Sequence, residues 1–130
     1  MRTGARRTAG VIALAGALGA VAATGAQGAP PPPRNVVPPV IEGVPLTGQT
    51  LRYYQGVWTM GGTPYVFTQS WLRCNATGGA CTSTGVTTST YTVTAADVGH
   101  TIRVAVTNTG DGGNGWSTTA TSPPTAPVLR

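Results

Sequence analysis

The strictest constraint on this chain is the two-residue rhythm of its second half. From Thr101 to Asn108 the apolar residues Ile102, Val104 and Val106 alternate with Arg103, Ala105 and Thr107, and Thr90 to Thr94 places Tyr91 and Val93 between threonines. A period of two sends successive side chains to opposite faces of a strand, one face towards a core and the other towards water. A helix would spread the same residues around its circumference, and no segment after Val36 keeps apolar residues at helical spacing over about ten positions. With 19 Gly and 11 Pro punctuating the chain, the expectation is an all-β antiparallel sandwich of about seven short strands.

The remaining strands are read at Val37 to Glu42, at Gln49 to Gln55 after the turn Leu46-Thr47-Gly48, at Tyr65 to Arg73 and at Trp116 to Ser122. Pro38 and Pro39 confine the first to an edge, because proline has no amide proton for a sheet ladder. In the run from Tyr65, the side chains of Tyr65, Phe67 and Trp71 share the face assigned to the core. Gln69 falls on the same side; a buried amide without a partner is costly, so a hydrogen bond, a bulge or an edge position is expected there. Thr94-Ala95-Ala96-Asp97 has the form of a capping box over one helical turn, ended by Gly99.

The first 28 residues read as a secretory signal peptide. Met1 to Arg7 is basic, Thr8 to Gly25 is apolar and rich in Ala and Gly, and Ala26-Gln27-Gly28 offers small residues for cleavage, with Thr24-Gly25-Ala26 as a second site. The apolar run is too short and too diluted by glycine for a stable membrane span, so a secreted, extracellular protein with no stable membrane insertion after cleavage is expected, with association at the cell surface as the alternative. Residues 29–37 read as a stiff proline-rich leader, 38–123 as the folded domain and 124–130 as a C-terminal tail. A chain of 130 residues has room for one such domain, and a monomer is expected.

Cys74 and Cys81 are the only cysteines, and an even count in an exported chain reads as a disulfide. So short a ring requires the chain to double back, so the bond would staple a local hairpin. Two thiolates and the single histidine, His100, cannot complete a tetrahedral metal site. Asp97 and His100 could be proposed as an acid and a base, but they sit at a turn with no nucleophile implied beside them. The reading is of a non-enzyme with no cofactor and no metal.

Charge argues against nucleic acid. All eight basic residues are arginine, and without the signal peptide five of them stand against Glu42, Asp97 and Asp111, a balance of +2 with no basic cluster. The loop Gly110 to Gly115 holds Asp111 as its one carboxylate, whereas calcium takes about six to eight oxygen ligands. Among the aromatics, Trp58, Trp116, Tyr53 and Tyr54 are least required by a core, and exposed rings hold sugars or partner side chains well. The expected ligand surface is therefore Trp116 with Trp58 and the loop residues Asp111 and Asn114, while a core-capping role for Trp58 and Trp116 is the simpler alternative.

Several stretches also look familiar together: Gly43-Val44-Pro45-Leu46-Thr47-Gly48-Gln49-Thr50-Leu51, Gly56-Val57-Trp58, Trp71-Leu72-Arg73-Cys74 with Cys81, and the block from Ser89 to Val104. They resemble the secreted immunoglobulin-like repeat of actinobacterial extracellular proteins. The resemblance implies an immunoglobulin-like sandwich with Trp71 as the central aromatic and a cysteine-closed hairpin beside it. It implies little about ligands, since members of that family usually occur as tandem spacers or attachment modules. The fold, the export signal and the lack of catalytic groups lead instead to the expectation of a binding or adhesion module for a protein or a cell-envelope polysaccharide. A carbohydrate-binding module using exposed aromatics, and an inhibitor of a secreted hydrolase offering the loop Asn75 to Ala80, are the alternatives.

Overall fold

A computed structural model describes residues 31–59, 65–110 and 116–130. Nine strands form among them: β1 (Arg34–Val37), β2 (Val40–Glu42), β3 (Thr50–Tyr54), β4 (Val57–Thr59), β5 (Tyr65–Cys74), β6 (Thr82–Ser83), β7 (Tyr91–Thr92), β8 (Thr101–Gly110) and β9 (Thr118–Thr121). They make a four-stranded sheet in the order β9-β8-β5-β6, a three-stranded sheet β2-β3-β7 and a separate pair β1-β4. Every strand pairing is antiparallel.

The alternating residues of β8 account for the core. Ile102, Val104 and Val106 are fully buried, and they meet Leu51 of β3 and Tyr91 and Val93 from the other sheet, so the two sheets pack face to face as a sandwich. Trp71 fills the centre. Its ring stacks on Tyr91, with centroids 5.6 Å apart, and meets Tyr53 edge-on at 5.9 Å. Along the inward face of β5, exposure falls from Tyr65 through the half-buried Phe67 to the fully buried Trp71.

Residues 84–90 cross from one sheet to the other, and Trp71 holds this strap. Thr84 N and Oγ1 each donate to Trp71 O at 2.9 Å, Trp71 N donates to Val86 O at 3.0 Å, and the indole Nε1 donates to Thr88 O at 2.8 Å. Gln69 is satisfied as the sequence requires: it accepts from Tyr53 Oη and donates to Thr87 O, both at 2.6 Å.

The differences from the sequence reading lie at the proline-rich start and in the shortest strands. The run expected from Val37 to Glu42 is two strands, broken at Pro38–Pro39, where the chain leaves β4 and takes β3 as its partner. Gly56 makes this crossing possible, because at φ +87° a Cβ would lie 2.1 Å from Val37 O. β4 and β6 bring the count above seven; strands of three and two residues are too short to display a period. The alternation at Thr90 to Thr94 pairs as strand only over Tyr91–Thr92, although Val93 N still donates to Gln49 O at 2.9 Å.

Both flanks are built into the domain. Pro33 is buried and its carbonyl accepts from Thr118 Oγ1 at 2.6 Å. At the other end Val128 is buried, its amide donates to His100 O at 2.8 Å, and Leu129 exchanges backbone bonds with Pro45 and Thr47. The segment read as a tail is thus held between two turns.

Candidate functional site

The one buried charge among the described residues sits where β7 turns into β8. Ala95–Asp97 form a single 3-10 turn, and Asp97, fully buried, folds its carboxylate back over the turn. Oδ2 accepts from Thr94 N at 2.8 Å, Thr94 Oγ1 at 3.1 Å and Tyr91 Oη at 2.7 Å, while Oδ1 accepts from Arg73 Nε at 2.6 Å. Burial by itself would raise the carboxyl pKa; the bonds from Thr94, Tyr91 and Arg73 together outweigh it and hold Asp97 below the ordinary value. Burial, and then the bond to Asp97, raise Tyr91.

This geometry decides what the group does. Both oxygens are occupied, the carboxylate has no exposed edge, and its proton affinity is reduced, so it fits a structural brace and not an acid or base. The ring of His100 does not join it: Nδ1 lies 3.1 Å from Cys74 O. The capping box at Thr94 and Asp97 is legible in the sequence, but the partnership with Arg73 is not. Its available signal is parity, since Arg73 falls on the same inward side of β5 as Trp71, and an inward guanidinium requires an acceptor.

Beside this brace, Cys74 and Cys81 form a disulfide between residues seven apart. The turn inside the ring is organised by Asn75, whose Oδ1 accepts from Thr77 N, Thr77 Oγ1 and Gly79 N at 2.9 to 3.0 Å. Asn75 N donates to Gly79 O at 2.7 Å. The hairpin is therefore fixed by local bonds as well as by sulfur.

Of the four residues expected to form a ligand surface, Trp58 and Trp116 are described, and the two differ in exposure. Trp58, only 8% exposed, belongs to the core; its Nε1 donates to Gln55 O at 2.8 Å and its ring meets Phe67 at 5.8 Å. The reason is its place in β4, which pairs with β1 and turns the indole inward. It cannot contact a ligand without unfolding that pair. Asp111 and Asn114 lie outside the described residues. Trp116 is 42% exposed, at the same end of the four-stranded sheet as Tyr65, 47% exposed, which faces Gly110 across β5 and β8.

Of the other two aromatics, Tyr53 is half-buried and tied to Gln69, whereas Tyr54 is 49% exposed. Tyr54 borders a groove of 550 Å³ lined by Arg52, Tyr53, Tyr54, Gln55, Gly56, Ser89 and Thr90. Its origin is topological. β7 pairs with β3 only at Thr50 and Leu51, and the strap is drawn towards Trp71 and Gln69, so Ser89 and Thr90 diverge from the last residues of β3.

Among the described residues no three His, Cys, Asp or Glu side chains are grouped to hold a metal ion, and no helix is long and apolar enough to cross a membrane. Compared with protein-family models, curated proteins and solved structures, the chain matches none.

Proposed function

We propose that this chain is an exported, non-enzymatic binding module with an immunoglobulin-like sandwich, and that it contacts a protein or cell-envelope polymer through the end that carries Trp116. The exposure of Trp116 carries the reading. A half-exposed indole that stacks on no other ring among the described residues leaves apolar area open to a partner. The order β9-β8-β5-β6 facing β2-β3-β7 supports the immunoglobulin-like arrangement. The basic and apolar leader, together with the disulfide, supports export to an oxidising compartment.

Trp71 and Trp58 are buried, so a ligand-induced change in tryptophan emission reports mainly on Trp116. Purified envelope polysaccharide or envelope protein added to the chain is expected to shift the emission to the blue, and Trp116→Phe should lose both the shift and the retention of that material on immobilised protein. Equal retention by the wild type and the Phe variant would refute the assignment of this surface.

A further inference from the structure

We propose that the groove between β3 and the end of the strap binds a saccharide that carries a carboxylate. This site is distinct from the end that holds Trp116 and does not depend on it. The volume of 550 Å³ falls within the range of about 300 to 1,000 Å³ usual for small ligands. Arg52, Gln55, Ser89 and Thr90 make much of its lining polar, which favours a ligand with hydroxyls over a purely apolar one. Tyr54 offers a half-exposed ring of the kind that lies against the C–H face of a sugar, while Gln55, Ser89 and Thr90 supply donors and acceptors at the rim.

Arg52 sets the charge. It is exposed and forms no ion pair with any described residue; the one ion pair among them is between Arg73 and Asp97. Glu42 lies directly across the ladder from Arg52, yet the two side chains do not close into a bridge. The guanidinium fork thus remains open for a ligand carboxylate, the partner its planar donors suit best. Glu42 diminishes the attraction without using it up.

Two other occupants fit less well. A peptide adding as a strand would need a run of free edge, but β7 already pairs with Thr50 and Leu51, so only the last residues of β3 are open on that side. A phosphorylated ligand would call for several converging cations, and Arg52 is the single cation among the lining residues.

Backbone amide NMR of the full chain, titrated with trigalacturonic acid and separately with a neutral trisaccharide, tests the proposal. The acidic trimer is expected to shift the Tyr54, Gln55 and Thr90 amides and to bind more weakly as salt is raised. Arg52→Gln should weaken it about tenfold, Tyr54→Ala should abolish the shifts, and Glu42→Gln should tighten binding about two- to threefold. All three positions are exposed, so unchanged melting temperatures will separate these effects from unfolding. Equal response to the neutral sugar, no response to either, or shifts confined to the Trp116 end would each overturn the proposal. The Trp116→Phe variant should bind the acidic trimer as the wild type does, so failure here and failure of the envelope contact are separable.

Discussion

The two ends of this sandwich treat polar and aromatic side chains in opposite ways. At the end that holds the disulfide, the buried Tyr91 and Asp97 bond to each other and to Arg73 and Thr94 at their margin, and Val128 and Leu129 are bonded down beside them. At the other end Tyr65 and Trp116 turn substantial ring area outward. The presence of reactive residue types therefore does not by itself mark an open site. A saturated carboxylate stabilises a corner, whereas an indole with open area is available to a partner.

The sharpest way to break this contrast is to remove Asp97. Asp97→Ala leaves Tyr91 Oη, Thr94 N and Arg73 without their shared acceptor and is expected to cost about 3 to 4 kcal/mol. A urea midpoint should fall accordingly, while Trp116→Ala changes stability by less than about 0.5 kcal/mol. Arg73→Ala should cost less than Asp97→Ala, about 2 kcal/mol, because the Arg73 side chain is 30% exposed and water screens part of the attraction. pH gives a second readout. The folded pKa of Asp97 lies below its unfolded value, so the unfolded state binds the proton first; the stability from this group is complete above about pH 5, begins to fall near the unfolded value of about 4 and is lost as pH falls through the lower folded value. Asp97→Asn should remove that acid-dependent loss. If the two ends proved equally sensitive to truncation, the division into brace and contact surface would fail.

How far the sequence reveals these features depends on the range of the interaction behind each. The inward set Ile102, Val104 and Val106, the need of Gln69 for a partner, the turn at Thr94 to Asp97 and the local pairing of Cys74 with Cys81 all follow from neighbouring residues, and all are legible. Arg73 meets Asp97 across 24 positions, and nothing local to either residue names the other. Trp58 illustrates the same limit: its strand is three residues long, and its burial depends on pairing with β1, more than 20 residues earlier. The groove at Tyr54 is further from view, because it exists only through the early divergence of the strap from β3.

Reduction of the disulfide should sharpen the comparison with a smaller effect. A ring closed by residues seven apart is worth about 2.5 kcal/mol in chain entropy. Cys81 is exposed, so a thiol reductant can reach the bond in the folded protein. The loss of stability should be accompanied by little change in Trp116 emission, since that ring lies at the opposite end of the four-stranded sheet. A matching change in the emission would mean that the two ends are coupled.

The smallest expected effects come from the backbone inside that ring, and they have opposite signs. Ala80 is held at φ +49°, a left-handed conformation that costs a residue with a Cβ about 1 to 2 kcal/mol. Ala80→Gly removes this cost but gives back part of the gain as unfolded-state entropy, so a net stabilisation below about 1 kcal/mol is expected. Gly78 is at φ +89° with room already taken, since an added Cβ would lie 2.8 Å from Pro124 Cγ and 3.2 Å from Arg103 Nη2. Gly78→Ala should therefore destabilise, by about 1 to 2 kcal/mol, in the same thermal melts. A stabilised glycine variant beside a destabilised alanine variant would mean that the hairpin is pressed against the segment at Pro124 and is not free to relax away from it. Two neutral substitutions would show instead that the turn yields locally, and the braced end would then owe its rigidity to Asp97 and the disulfide alone.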